Sequence, residues 1–202
     1  MTKAATENLP LQKALPVGKG PLSTGRWGVW TLIVTEASLF GYLILSYAIL
    51  GLQSPSRWPA DGPPDLTWPI VNTVLLVSSS GFVAFCERML KHNKRLPALG
   101  LLATAIVLGI LFVGVQLHEW AGKPYGVQSH TYGSLFFTIT GFHMLHVVVG
   151  VISLSLVWLW IALKRVTQAR REILTIAALY WHFVDVVWLV IFSLLYGLPH
   201  VA

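Results

Sequence analysis

The chain has 202 residues, of which 55% are apolar and only 11% are charged, and its mean hydropathy is +0.68. This composition excludes an ordinary water-soluble domain, because about 25% of the residues in such domains are charged. The formal net charge of +6 would suit a nucleic-acid-binding protein, but basic residues grouped beside apolar segments favour a membrane protein that binds no nucleic acid.

Five apolar segments are each long enough to cross a bilayer as a helix. A hydrocarbon core about 30 Å thick takes about 20 helical residues at 1.5 Å each, and the period-two alternation of a membrane β-barrel does not occur. The predicted spans are residues 28–50, 69–89, 97–119, 135–163 and 173–198. The sequence therefore predicts an all-α, polytopic bundle of five transmembrane helices within a domain at 26–202, preceded by a flexible tail at 1–25.

The basic residues predict the direction in which the chain crosses the membrane. Twelve of the 14 lie in the N-terminal tail and in the second and fourth loops, whereas Arg57 and Lys123 lie in the first and third loops. Loops rich in Lys and Arg stay on the cytoplasmic side of a membrane. We therefore expect a cytoplasmic N-terminus and an external C-terminus.

Glu36 in the first span is the first candidate functional residue. It lies about eight residues into the span, which is about 12 Å from the cytoplasmic edge. No basic residue is expected at that depth, and the expected contact is the serine cluster at 78–80, which includes Ser79 and Ser80. An acidic residue inside a membrane indicates either structural hydrogen bonding or proton handling, and the residues alone leave both open.

Four polar residues of the last two spans are expected at a common depth near the midplane. His143 and His146 lie one turn apart in the fourth span, and His182 and Asp185 lie one turn apart in the fifth. An acidic residue at this depth costs about 2.5–3.5 kcal/mol and requires a partner. We expect a structural polar cluster in which Asp185 accepts hydrogen bonds from His182 or from the His143–His146 pair.

Other residues are predicted to support this arrangement. Trp181 and Trp188 lie at i−4 and i+3 from Asp185, so their indole N–H groups are further expected donors. Gly150 shares a face with the two histidines and would let another backbone approach closely. Glu119 ends the third span, where we expect a water-exposed position at the outer rim.

A metal or haem site is the alternative explanation for the four polar residues. An H-x-x-H pair on one helix and His with Asp on the next would supply four ligands. However, membrane di-iron hydroxylases need many more histidines than the seven present here, and a single cysteine, Cys86, excludes a C-x-x-C motif. The pattern favours the structural cluster, and an independent metal-dependent membrane oxidoreductase is the rival hypothesis.

Several sequence blocks, in this order, resemble the cytochrome c oxidase subunit III family, the subunits III of haem-copper oxidases. The blocks are RWGVWTLIVTEASLF, LTWPIVNTVLLVSSSGF, GVQLHEW, YGSLFFTITGFHMLHVVVG and LYWHFVDVVWLVIFSLLY. They extend from Arg26 to about Pro199. Five predicted helices match the short bacterial members, which lack the first two helices of the seven-helix members.

The resemblance implies an accessory subunit of a proton-pumping respiratory oxidase in the bacterial cytoplasmic membrane, with cytochrome c as electron donor. It implies no redox cofactor in this chain, haem and copper in partner subunits, and bound phospholipid. The implied partners are subunit I by direct packing, subunit II and a small subunit IV.

The resemblance also assigns roles to particular residues. Glu36 matches a membrane-buried, carbodiimide-reactive glutamate of the family, which implies a part in proton uptake. His143, His146, His182 and Asp185 match packing and hydrogen-bonding positions. Subunit III of a ubiquinol oxidase, or a homologue associated with nitric oxide reductase, is the alternative with the same fold.

Overall fold

The computed structural model describes residues 24–54, 58–59, 62–164 and 168–200, and these residues are almost entirely helical. The helices are α1 (Thr24–Gln53), α2 (Thr67–Lys91), α3 (Arg95–Ala121), α4 (Thr131–Ala162) and α5 (Gln168–Ile191). All five belong to segments long and apolar enough to cross a membrane, which confirms the predicted all-α bundle of membrane-spanning helices. Most of the predicted tail lies outside the described residues, and α1 includes its last two.

Side chains at two helix ends satisfy backbone groups that the helices leave free. At the start of α4, the N–H of Gly133 donates to Nδ1 of His130 over 2.9 Å. At its end, the Arg95 guanidinium donates to the carbonyls of Ile161 and Ala162, over 2.7 and 2.5 Å. A cation is favourable at a helix C-terminus, so Arg95 both caps α4 and ties it to α3.

The fifth helix is the centre of the bundle. It packs against α1, α2 and α4, while α3 packs between α2 and α4. In the most apolar 18-residue stretch of the fifth span, 50% of the residues are buried inside the protein, compared with 11% in the corresponding stretch of α1. Most of the surface of α1 therefore faces outward, and its inner side packs against α4, α5 and Trp58.

Trp181 of α5 is fully buried and fills the space between two glycines. A Cβ atom added to Gly150 of α4 would lie 2.6 Å from Cε3 of the indole, and one added to Gly109 of α3 would lie 2.8 Å from Cη2. Both distances are too short for real side chains. Gly150 thus admits a large aromatic ring rather than the neighbouring backbone that we expected.

The last turns of the fifth span change their helical form. A π-helical segment, Phe192–Gly197, follows α5 directly, and a 3₁₀ turn, Leu198–His200, follows it. The π segment changes the rotation of each later side chain about the helix axis. It carries Tyr196, which is fully buried and faces α3 and α4.

Candidate functional site

Glu36 of α1 and His146 of α4 form a direct contact inside the membrane-spanning bundle. Glu36 Oε2 lies 3.0 Å from His146 Nε2, and His146 Nδ1 lies 2.7 Å from the carbonyl oxygen of Phe142. A carbonyl only accepts, so Nδ1 must carry a proton. A hydrogen bond at Nε2 then needs one further proton, carried by either the carboxyl or the imidazole.

The pair borders a cleft of about 460 Å³ between α1, α4 and α5. The cleft is lined mostly by apolar side chains, among them Leu32, Val149 and Trp160. The Glu36 side chain is 24% exposed and that of His146 is 11% exposed, so the contact lies at the boundary between the bundle and the cleft.

The imidazole of His146 is held in place by its neighbours. The Phe40 ring meets it edge-on, with 5.2 Å between the ring centroids, and the Tyr180 hydroxyl donates to the His146 carbonyl over 3.5 Å. The ring therefore has a defined orientation toward Glu36, as a proton-sharing contact requires.

The expected neighbours of Glu36 were wrong. A basic residue does lie at its depth, and Ser79 and Ser80 contact α5 instead. The reason is the packing order. Helix α1 packs against α4 and α5, whereas α2 packs against a different side of α5.

Asp185 has a different partner from the histidines that we expected. The Ser80 hydroxyl of α2 donates to Asp185 Oδ2, and the same Ser80 oxygen lies 2.7 Å from His182 Nδ1. Because Ser80 has one proton to give, His182 Nδ1–H donates to Ser80. Ser80 thus stands between the two residues of α5, and Asp185 Oδ1 is buried without a partner among the described residues.

His143 belongs to neither of these contacts. It is buried, and its Nε2–H donates to the carbonyl of Val184 over 3.2 Å, which ties α4 to α5. The expected common cluster of four residues is therefore separated into three sites. Equal depth does not bring side chains together, because His143 and His146 point from α4 toward different neighbours.

The two indoles also donate elsewhere. Trp181 Nε1–H donates to Ser79 Oγ, and Trp188 Nε1–H donates to Thr73 Oγ1, each over 3.0 Å. Neither indole reaches Asp185, because each ring extends across to a hydroxyl of α2. Helices α2 and α5 run antiparallel, and these two bonds fix their register.

Glu119 is buried rather than exposed at a rim, which corrects our expectation. Only 4% of it is exposed, and its carboxylate accepts from Tyr196 Oη over 3.1 Å and from Gln116 Nε2 over 3.2 Å. Lys123 Nζ lies 3.0 Å from Oε1. An ion pair so well enclosed is stable only with such additional hydrogen bonds.

This network extends to α2 and contains residues that sequence reasoning missed. Asn72 Nδ2 donates to Gln116 Oε1 over 3.0 Å, and both residues are buried. The i,i+4 spacing of Glu119 and Lys123 was a usable signal for part of it. Tyr196 could not be found in this way, because a π-helical segment brings it to the site.

The described ranges contain no group of three or more His, Cys, Asp and Glu side chains that could hold a metal ion. The imidazoles of His143, His146 and His182 each make hydrogen bonds to different parts of the fold. The rival metal site therefore has no ligand set within this part of the chain.

Comparison with known proteins gives a consistent family assignment. The family model described as Cytochrome c oxidase subunit III matches residues 19–198. A relative from Thermostichus vulcanus, named Cytochrome c oxidase subunit 3, is 30% identical over 172 residues, which are 84% of this chain and 85% of the relative. Relatives of the same name from Synechocystis sp. and Lycodon semicarinatus are 32% and 34% identical, covering 84% and 85% of this chain and 74% and 68% of their own lengths.

The match covers all five helices and both ends of the Glu36–His146 contact. The family is one of membrane subunits within multi-subunit oxidoreductase complexes. The chain belongs to the cytochrome c oxidase subunit III family, the subunits III of haem-copper oxidases.

Proposed function

We propose that this chain is an accessory, non-redox subunit III of a proton-pumping terminal oxidase that reduces oxygen to water with electrons from cytochrome c. The names of the relatives support cytochrome c rather than quinol as the donor. In this proposal subunits I and II hold the haem and copper, subunit I packs directly against this chain, and a small subunit IV completes the complex. The chain stabilises the catalytic subunit and supports proton uptake.

The Glu36–His146 contact is the observation that carries the proton-uptake part of the proposal. A carboxyl and an imidazole 3.0 Å apart can hold a proton and exchange it without a large movement. An acidic residue within a membrane-spanning segment is a functional-site hypothesis by default, with its partner named. The pair would act as a local proton store next to the catalytic subunit.

The other polar contacts have a structural role in this proposal. The Ser80–His182–Asp185 contact joins α2 to α5, and the network around Glu119 joins α2, α3 and the π-helical segment. Interhelical hydrogen bonds of this kind contribute about 0.6 kcal/mol each on average and up to about 1.7 kcal/mol. Together they would hold the subunit rigid against its partners.

We further propose a multi-pass location in the bacterial cytoplasmic membrane, with the N-terminus in the cytoplasm. Exposed lysines at the end of α2 (Lys91), the start of α3 (Lys94) and the end of α4 (Lys164) support this orientation, because Lys and Arg stay on the cytoplasmic side. The cleft beside Glu36 would take an acyl chain of a bound phospholipid, since its lining is predominantly apolar.

The test is to compare oxidase complexes that contain the wild-type chain, Glu36→Gln or Ser153→Ala. Ser153 lines the same cleft but bonds only to its own helix, so it serves as the control. We expect Glu36→Gln to slow proton uptake and the initial oxygen rate together, at least twofold, and to lower the number of turnovers before inactivation. Equal proton uptake and equal survival in all three complexes would contradict the proposal.

A further inference from the structure

Polar groups reach the outer surface of the bundle at the seam between α2 and α5. Ser80 lies about 20 Å from the start of α2 and about 17 Å from its end, which places it near the middle of the span. Ser80 and His182 are both only half-buried, unlike Ser79 and Asp185 beside them. Hydrogen-bonding groups at this depth normally face the interior of a bundle.

The second ring nitrogen of His182 has no hydrogen-bond partner within the described part of the chain. Its Nδ1–H donates to Ser80, whose own proton goes to Asp185, so in the neutral imidazole Nε2 is an acceptor. Nε2 is not a buried atom, so another molecule can reach it at the surface of the bundle. A lone acceptor in hydrocarbon is unfavourable, and a donor from another molecule would satisfy it.

The surroundings of His182 suit a closely packed helix. Val77 and Ala84, one turn from Ser80 on either side, are exposed, and so is Val186, which lies one turn beyond His182 and is 58% exposed. A Cβ atom added to Gly81 would meet nothing within 4 Å. Small residues allow another backbone to approach closely in a membrane, and apolar residues around one polar group are typical of an interaction hot spot.

We propose that this surface is the docking site for a transmembrane helix of another subunit of the oxidase, and that this helix donates a hydrogen bond to His182 Nε2 from a hydroxyl or amide side chain. We call it the His182 face, and it consists of Val77, Ser80, Gly81, Ala84, His182 and Val186. The proposal rests on the proposed function, because it requires an oxidase complex.

Two other occupants fit the chemistry less well. An acyl chain has no donor at this depth and would leave Nε2 unsatisfied. A second copy of this chain, related by a two-fold axis through the face, would set one acceptor nitrogen against another. A different subunit with a complementary donor meets both requirements.

Site-specific photo-crosslinking identifies the occupant. A tagged chain with a benzophenone amino acid at position 186 is irradiated in native membranes and purified, and its adducts are identified by mass spectrometry. The control position is 110 on α3, which is equally exposed but lies outside the His182 face. We expect adducts to a peptide of another oxidase subunit at position 186, with at least tenfold less of that peptide at position 110.

Adducts at position 186 only to lipid or to a second copy, in a preparation that contains the other oxidase subunits, would overturn the His182 face and leave the proposed function intact. A preparation without any oxidase subunit would overturn both. The two proposals therefore fail in different ways.

Substitutions at His182 test the hydrogen bond itself. Gln can bond to both Ser80 and a partner, whereas Phe fills the space and bonds to neither. We expect His182→Phe to lower the amount of oxidase that copurifies with the chain at least fivefold, and His182→Gln to keep it within about twofold. If both variants copurify equally with the oxidase, and Val186→Trp does so as well, the proposal is wrong.

Discussion

Glu36 and His146 are 110 positions apart in the sequence, and their side chains meet over 3.0 Å at the boundary between the helix bundle and an apolar cleft. The contact joins α1, which otherwise has few buried residues, to α4. It places a carboxyl within hydrogen-bond distance of an imidazole, the geometry that proton transfer between two side chains requires. The proposed part of this subunit in proton uptake depends on this pair.

Glu36 is expected to react with a hydrophobic carbodiimide at neutral pH. Its side chain is 24% exposed and opens onto an apolar cleft that such a reagent can enter. Asp185 and Glu119 are the internal controls, because both are more than nine-tenths buried and should remain unlabelled. Mass spectrometry of the labelled chain gives the answer, and an unmodified Glu36 would count against the proposal.

Asp185→Asn is expected to weaken assembly more than oxygen reduction. The substitution replaces the carboxylate that accepts from Ser80 by an amide whose N–H₂ group has no acceptor ready in that buried place. We expect a loss of roughly 0.6–1.7 kcal/mol, seen as a lower temperature of dissociation from the complex. Ser193→Ala is the control, since that hydroxyl bonds only to its own helix. Unchanged stability with abolished turnover in an intact complex would contradict this prediction.

Gly150→Ala is expected to destabilise the bundle, whereas Gly114→Ala is not. The new Cβ at position 150 would lie 2.6 Å from the Trp181 ring, and a Cβ at position 114 would meet nothing within 4 Å. Displacing a packed indole costs about 1–3 kcal/mol. Thermal unfolding of the two variants in the same detergent tests the difference, and equal melting temperatures would show that Trp181 can move freely.

Glu119→Gln is expected to destabilise the end of the bundle at which α3 ends and α4 begins. It leaves the enclosed Lys123 ammonium without its counter-charge while keeping the size of the side chain. Breaking a buried pair on one side costs about 3–5 kcal/mol. The double variant Glu119→Gln, Lys123→Met should recover part of that loss, because it removes both charges. Thermal unfolding that shows no recovery would mean that Tyr196 and Gln116, rather than the ion pair, account for the effect.

The number of helices and their positions follow directly from the sequence, because an apolar segment in a membrane has little choice of structure. All five helices begin a few residues before the predicted start, and α1, α2 and α3 also end a few residues after the predicted end, since interfacial turns are helical too. The π-helical segment Phe192–Gly197 has no such signal. It depends on packing around Tyr196, which only the folded bundle contains.

The partners of the buried polar residues are less predictable, and the reason is geometric. Position along a helix gives the depth of a residue, but it does not give the rotation of each helix or its neighbours. Glu36 and Ser80 have similar depths yet contact different helices, and His143 and His146 diverge although they are one turn apart. The polar residues named from the sequence all make contacts between helices, whereas their pairing required the packing order.

Purification of the native complex through a tag on this chain, followed by its haem spectrum, tests the proposed function most directly. We expect other oxidase subunits to copurify with haem and copper, and the chain itself to release no metal when it is separated from them. A chain that purifies alone and retains stoichiometric iron or copper after washing would contradict the proposal and support the independent metal-dependent oxidoreductase.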